Sequence, residues 1–175
     1  MPNHPTITTL VDLARADLAI VHGKKKIRTL NEKSKNLAEK VQNAENNLSL
    51  SKAKLSKLHQ DEATTQQRLE SYRKRKNTAV IALERGLGDP NSAERQIDQC
   101  GQIIDDLELA IIENLERQEA MVHQIDNAQK AVSNAQHIAD AFEAEKAIEA
   151  NAVTEIIHAK THLRQSIIQT LDVTI

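Results

Sequence analysis

Two long stretches of this chain repeat apolar residues every seven positions, in steps of three and four. In the first stretch one seam position, a, is Leu13, Ile20, Ile27, Ser34, Val41, Leu48, Leu55, Glu62, Leu69, Lys76 and Leu83. The other, d, is Ala16, Gly23, Leu30, Leu37, Ala44, Ser51, Leu58, Thr65, Tyr72 and Ala79. In the second, a is Ile97, Ile104, Ile111, Gln118, Ile125, Val132, Ala139, Lys146, Val153, Lys160 and Ile167. Its d positions are Cys100, Leu107, Asn114, Met121, Ala128, Ala135, Phe142, Glu149, Ile156 and Leu163. An unbroken seven-residue period puts a and d on one stripe of a helix and implies left-handed supercoiling against a second helix.

Helix breakers cluster between the two stretches, in Gly86-Leu87-Gly88-Asp89-Pro90-Asn91-Ser92. Gly86 suits the residue just past a helix C-terminus, where a left-handed backbone is needed. Asp89 before Pro90 fits an N-cap with proline at the first helical position. Asn91 with Glu94 is an alternative capping box. Pro5 and Thr6 mark the other start. The pattern predicts an all-α fold: helices over about 7–85 and 91–172, hinged at 86–92, in one helical-hairpin domain over 1–175.

Charge decides how the helices pair. Residues 1–88 carry 17 Lys/Arg against 9 Asp/Glu, and residues 89–175 carry 6 against 16, so the halves are +8 and −10. Unlike halves attract, and a short hinge makes neighbours antiparallel. Folding at the hinge brings Arg73–Lys76 beside Asp105, Asp106 and Glu108. It brings Lys24, Lys25, Lys26 and Arg28 near Glu149 and Glu155. The polar seam residues Glu62 and Thr65 fall near Asn114 and Gln118, a pairing that would set register. Two neighbouring registers satisfy these matches about equally.

Composition narrows the chemistry. Aromatic residues are 1% of the chain and there are only 4 Gly and 3 Pro, which argues against barrels, sandwiches and doubly wound sheets. One cysteine, Cys100, excludes an intrachain disulfide and a CxxC metal pair; at d it reads as a small buried hydrophobe. A two-helix seam offers no pocket to bury a small substrate, so no catalytic residue, cofactor or metal site is expected. His158 and His162 have a spacing that can chelate, with His22 at the same level, but they sit at f and c, away from the seam. His59 and His123 are also level, at e and f. All five read as solvated. The basic runs face acidic stretches and lack interleaved aromatics, so nucleic-acid binding is the weakest of the functional readings. No apolar run approaches the roughly 18 residues of a membrane span. Residues 1–13 lack a basic start followed by an apolar stretch, so no secretory signal is expected and the cytoplasm is the expected location.

Apolar residues outside the seam carry the functional expectation. Near the hinge these are Val80, Ile81, Leu87, Ile103, Leu109, Ile112 and Leu115; at the open end they are Leu10, Leu18, Val21, Ile157 and Ile168. Two helices cannot cover them all, and exposed apolar patches mark contact sites. They are candidate partner-binding residues, while Glu62, Thr65, Asn114 and Gln118 are candidate register residues.

The fragment Arg15-Ala16-Asp17-Leu18-Ala19-Ile20, with Tyr72 and Leu83 before the hinge and Ile97, Ile104 and Leu107 after it, resembles the central-stalk coiled-coil proteins of bacterial type III secretion and flagellar export. That resemblance implies a cytoplasmic rod whose coiled-coil end inserts into a ring ATPase and which contacts an export gate or chaperones. Leu10, Leu13, Asp17, Ile20, Ile27 and Leu30 also resemble the start of bacterial coiled-coil hairpins that end in a zinc ribbon. With no CxxC pair here, that resemblance extends to the scaffold alone. The expected function is a non-catalytic interaction protein, a stalk or adaptor in a cytoplasmic bacterial assembly. The alternatives are a self-assembling structural rod and, behind it, a nucleic-acid-binding rod.

Overall fold

The computed structural model describes residues 5–172, with side chains over 7–170. It contains two helices, α1 (Pro5–Glu84) and α2 (Pro90–Asp172), and no strand among the described residues. Both start one or two residues before the predicted bounds, each with proline as its first helical residue, where the missing N–H costs nothing. The pair forms an all-α antiparallel helical hairpin.

The turn follows from its residues. Leu87 N–H donates to Ala82 O at 2.9 Å and Gly86 N–H to Leu83 O at 3.1 Å. These two bonds are a Schellman closure with Gly86 at its left-handed position, φ 65°. Gly88 is also left-handed, φ 83°. Asp89 caps α2: its Oδ2 accepts from Ser92 N–H at 3.0 Å. The Asn91 alternative is not the cap.

The chain divides into two compact units. One contains Glu45–Ala131 and therefore the turn. Its buried residues are Leu69, Ala79, Ala93, Cys100, Ile104 and Leu107. Leu69, Ile104 and Leu107 form a cluster, with Tyr72, Ile103 and Ile111 packed on it. Arg73 pairs with Glu108 at 2.6 Å.

The other unit pairs α1 up to Ala44 with α2 from Val132. Ala16, Leu30, Phe142, Val153 and Ile167 are buried there. Lys33 Nζ lies 4.4 Å from the centre of the Phe142 ring, and the pairs Lys26–Glu149 (2.5 Å) and Arg164–Asp17 (2.7 Å) link the helices. These pairs are about half exposed, so each contributes about 0–1 kcal/mol.

The a and d positions are covered along both helices, with one departure. Ile156 and Leu163, expected at d, are 52% and 42% exposed. Ile157, expected outside the seam, is half-buried instead, as is Thr161. The cause is at Gly23: a β-carbon there would lie 2.7 Å from Ile157 Cγ1 and 3.3 Å from Val153 Cγ1. Ile157 fills the space that the glycine leaves. From Val153 the covered stripe therefore runs through Ile157 to Lys160, keeping the seven-residue repeat but with an e position in place of d.

Candidate protein-docking faces

The seven-residue period puts b and f on the side of each helix away from its partner and e at the edge of the seam next to them, so b, e and f form one lateral face. In the unit containing the turn, α2 carries Leu109 (f), Ile112 (b) and Leu115 (e) on that side, all exposed. Val122 (e) extends the stripe and is also exposed. It was not among the expected residues, although its heptad position was the signal. At the turn, Ile81 is partly exposed and Leu87 is 62% exposed. Leu87 lies in the turn, the third residue past the α1 terminus.

In the other unit, Leu10 (e), Leu18 (f) and Val21 (b) form a second stripe on α1. Ile7 (b) and Val11 (f) belong to it as well and were likewise overlooked. Leu50, Ile138 and Ile148 are exposed without forming such a stripe.

Four expected contact residues are half-buried within the hairpin: Val80, Ile103, Ile157 and Ile168. Ile103 packs on the Leu69–Ile104–Leu107 cluster, and Ile157 packs over Gly23. Val80 lines a shallow groove with Arg73, Lys76, Asn77 and Ile104. Their apolar surface is therefore partly used inside the chain.

The polar seam residues form a network in the turn-containing unit. Gln118 Nε2 donates to Glu62 Oε2 at 2.7 Å and to Asn114 Oδ1 at 3.2 Å. Asn114 Nδ2 donates to Leu58 O at 3.2 Å, and Gln66 Nε2 to Glu62 Oε1 at 2.8 Å. Thr65 stays outside this network; its hydroxyl donates to Asp61 O at 2.8 Å within α1. In the other unit Ser34, at a, donates to Glu143 Oε1. That hydrogen bond, with Lys146 beside it, holds the Glu143 carboxyl below its ordinary value of 4.5.

The expected charge matches are realised selectively. Arg73 takes Glu108, but Asp105 and Asp106 enter no ion pair among the described residues. Lys26 takes Glu149 and Arg28 takes Glu32 of its own helix, while Lys24 and Lys25 enter none. His22, His158 and His162 are exposed. His59 and His123 line a shallow groove of about 580 Å³ with Ile112, Leu115 and Val122. Among the described residues, no three His, Cys, Asp or Glu side chains are grouped to hold a metal ion. No helix is long and apolar enough to cross a membrane, again among the described residues.

The arrangement is that of a helical hairpin with apolar stripes on its outer faces. Comparison with protein families, curated proteins and solved structures finds no match to this chain.

Proposed function

We propose that the chain is a non-catalytic interaction protein, a coiled-coil stalk or adaptor in a cytoplasmic bacterial assembly such as a secretion apparatus. The observation that carries this reading is the set of apolar side chains, Leu109, Ile112 and Leu115 foremost, on faces that the partner helix leaves uncovered. Burying an exposed leucine or isoleucine is worth about 1.5–3 kcal/mol, so such a stripe favours contact with another protein. The exposed Ile81 and Leu87 at the turn supply the tip that a ring ATPase would receive, in keeping with the resemblance of the sequence to export stalks.

The test is purification of the tagged chain from a bacterial lysate at low and high salt, beside an Ile81→Lys/Leu87→Lys variant. The expected result is recovery of a ring ATPase or export-gate component by the unaltered chain and its loss from the variant. Recovery of neither component, or equal recovery by both proteins, would count against the stalk reading. A self-assembling structural role is the second reading, favoured by the opposite charges that border the two stripes.

A further inference from the structure

The two outer stripes are complementary in length, polarity and charge order. On α1, Ile7, Leu10, Val11, Leu18 and Val21 span 15 residues and are followed by Lys24 and Lys25 on or beside the same face. On α2, Leu109, Ile112, Leu115 and Val122 span 14 residues and are preceded by Asp105 and Asp106. Each stripe is thus roughly 20 Å long at 1.5 Å per residue. The two lysines and the two aspartates are the members of their charge runs that no ion pair engages among the described residues. The basic run lies C-terminal to one stripe, and the acidic run lies N-terminal to the other. Only an antiparallel arrangement therefore superposes both the apolar and the charged parts. Set with Ile7 beside Val122, it brings Val21 beside Leu109 and Lys24 and Lys25 beside Asp105.

We propose that the α2 stripe is a docking site for the N-terminal α1 stripe of a second copy of this chain, packed antiparallel. This deepens the interaction-protein reading by naming the occupant of one face. Like-with-like pairing is disfavoured. Two α2 stripes would bring Asp105 and Asp106 against themselves if parallel and beside Asp126 if antiparallel; two α1 stripes would bring lysine against lysine if parallel, and if antiparallel would leave Lys24 and Lys25 beyond the end of the partner stripe with no acid to meet. The acidic border also disfavours an anionic lipid surface at the α2 stripe. Because donor and acceptor are different surfaces, the contact is heterologous: each copy offers one of each, and association continues past the dimer unless it closes into a ring.

The experiment is sedimentation velocity of the full chain over a wide concentration range, with two blocked variants. Leu18→Glu/Val21→Glu blocks the donor stripe, and Ile112→Lys/Leu115→Lys blocks the acceptor. All four positions are exposed, and circular dichroism checks that helix content is retained. The unaltered chain is expected to grow beyond a dimer with concentration. Each variant alone is expected to remain monomeric, and an equimolar mixture to stop at a one-to-one dimer. Lys24→Glu/Lys25→Glu is expected to weaken association about tenfold, with recovery when mixed with Asp105→Lys/Asp106→Lys. A chain that stays monomeric throughout overturns the proposal. So does one that forms a closed dimer insensitive to either block, or variants that fail to complement. A monomeric chain that still recovers an export component overturns this inference alone and leaves the stalk reading standing.

Discussion

Gly23 is the only seam position without a side chain, and Ile157 occupies the space this creates. Gly23→Ala sets two effects against each other. Alanine favours the helix by about 1 kcal/mol over glycine, whereas overpacking a formed contact costs typically about 1–3 kcal/mol. The nearest atom is Cγ1 of Ile157, bonded to the branched Cβ, which cannot swing aside as a chain terminus would, so the overlap prevails. Gly23→Ala is expected to lower the thermal midpoint in the unaltered chain and to raise it in an Ile157→Ala background. The two melting curves measure this directly. A second residue-scale expectation concerns Glu143. Its carboxyl is held below 4.5 by the Ser34 hydroxyl first and by Lys146 second. A lowered folded value stabilises the protein above the unfolded value; that contribution is lost as pH falls through the folded value. Ser34→Ala is therefore expected to move the Glu143 titration, followed by NMR of its carboxyl carbon, up toward 4.5 and to remove this part of the acid sensitivity.

At the scale of elements, the turn depends on two left-handed residues and one cap. Gly86 and Gly88 have open space around them, so a substitution there meets conformational strain alone. Gly88→Ala is expected to destabilise the hairpin by about 1–2 kcal/mol, and Asp89→Ala by about 1 kcal/mol through loss of the Ser92 hydrogen bond. Chemical denaturation reads both. The seam network makes a different prediction. Glu62→Leu replaces the charge that Gln118 and Gln66 meet with an apolar side chain at an a position. The thermal midpoint should hold or rise, because well-packed apolar groups replace seam polar groups at little net cost. Register should loosen. Cysteine pairs placed for neighbouring registers would cross-link as a mixture in this variant and as a single species without it. A large fall in the midpoint would contradict the frame.

Across the whole molecule, charge acts on pairing more than on strength. The interhelix pairs Arg73–Glu108, Lys26–Glu149 and Arg164–Asp17 are all about half exposed. Salt is therefore expected to lower the thermal midpoint only slightly, while weakening association between copies more strongly. Thermal melts and sedimentation at low and high salt separate the two effects.

Much of this was legible in one dimension. Helix length, the Gly86 and Asp89 caps and the antiparallel sense depend on local backbone preference, seven-residue spacing and net charge of each half, all properties of a helix taken singly. The outer stripes could be read in outline for the same reason, and Ile7, Val11 and Val122 were readable from their b, e and f positions. Tertiary structure alone decided the rest. Thr65 turns back to its own helix, Ile103 is drawn onto the Leu69 cluster, and Ile157 displaces Ile156 from the seam opposite Gly23. Each outcome depends on which side chain, or which missing side chain, stands on the facing helix. A repeat within one helix specifies the stripe it presents; the surface of the other helix selects which residues at the edges of that stripe are covered.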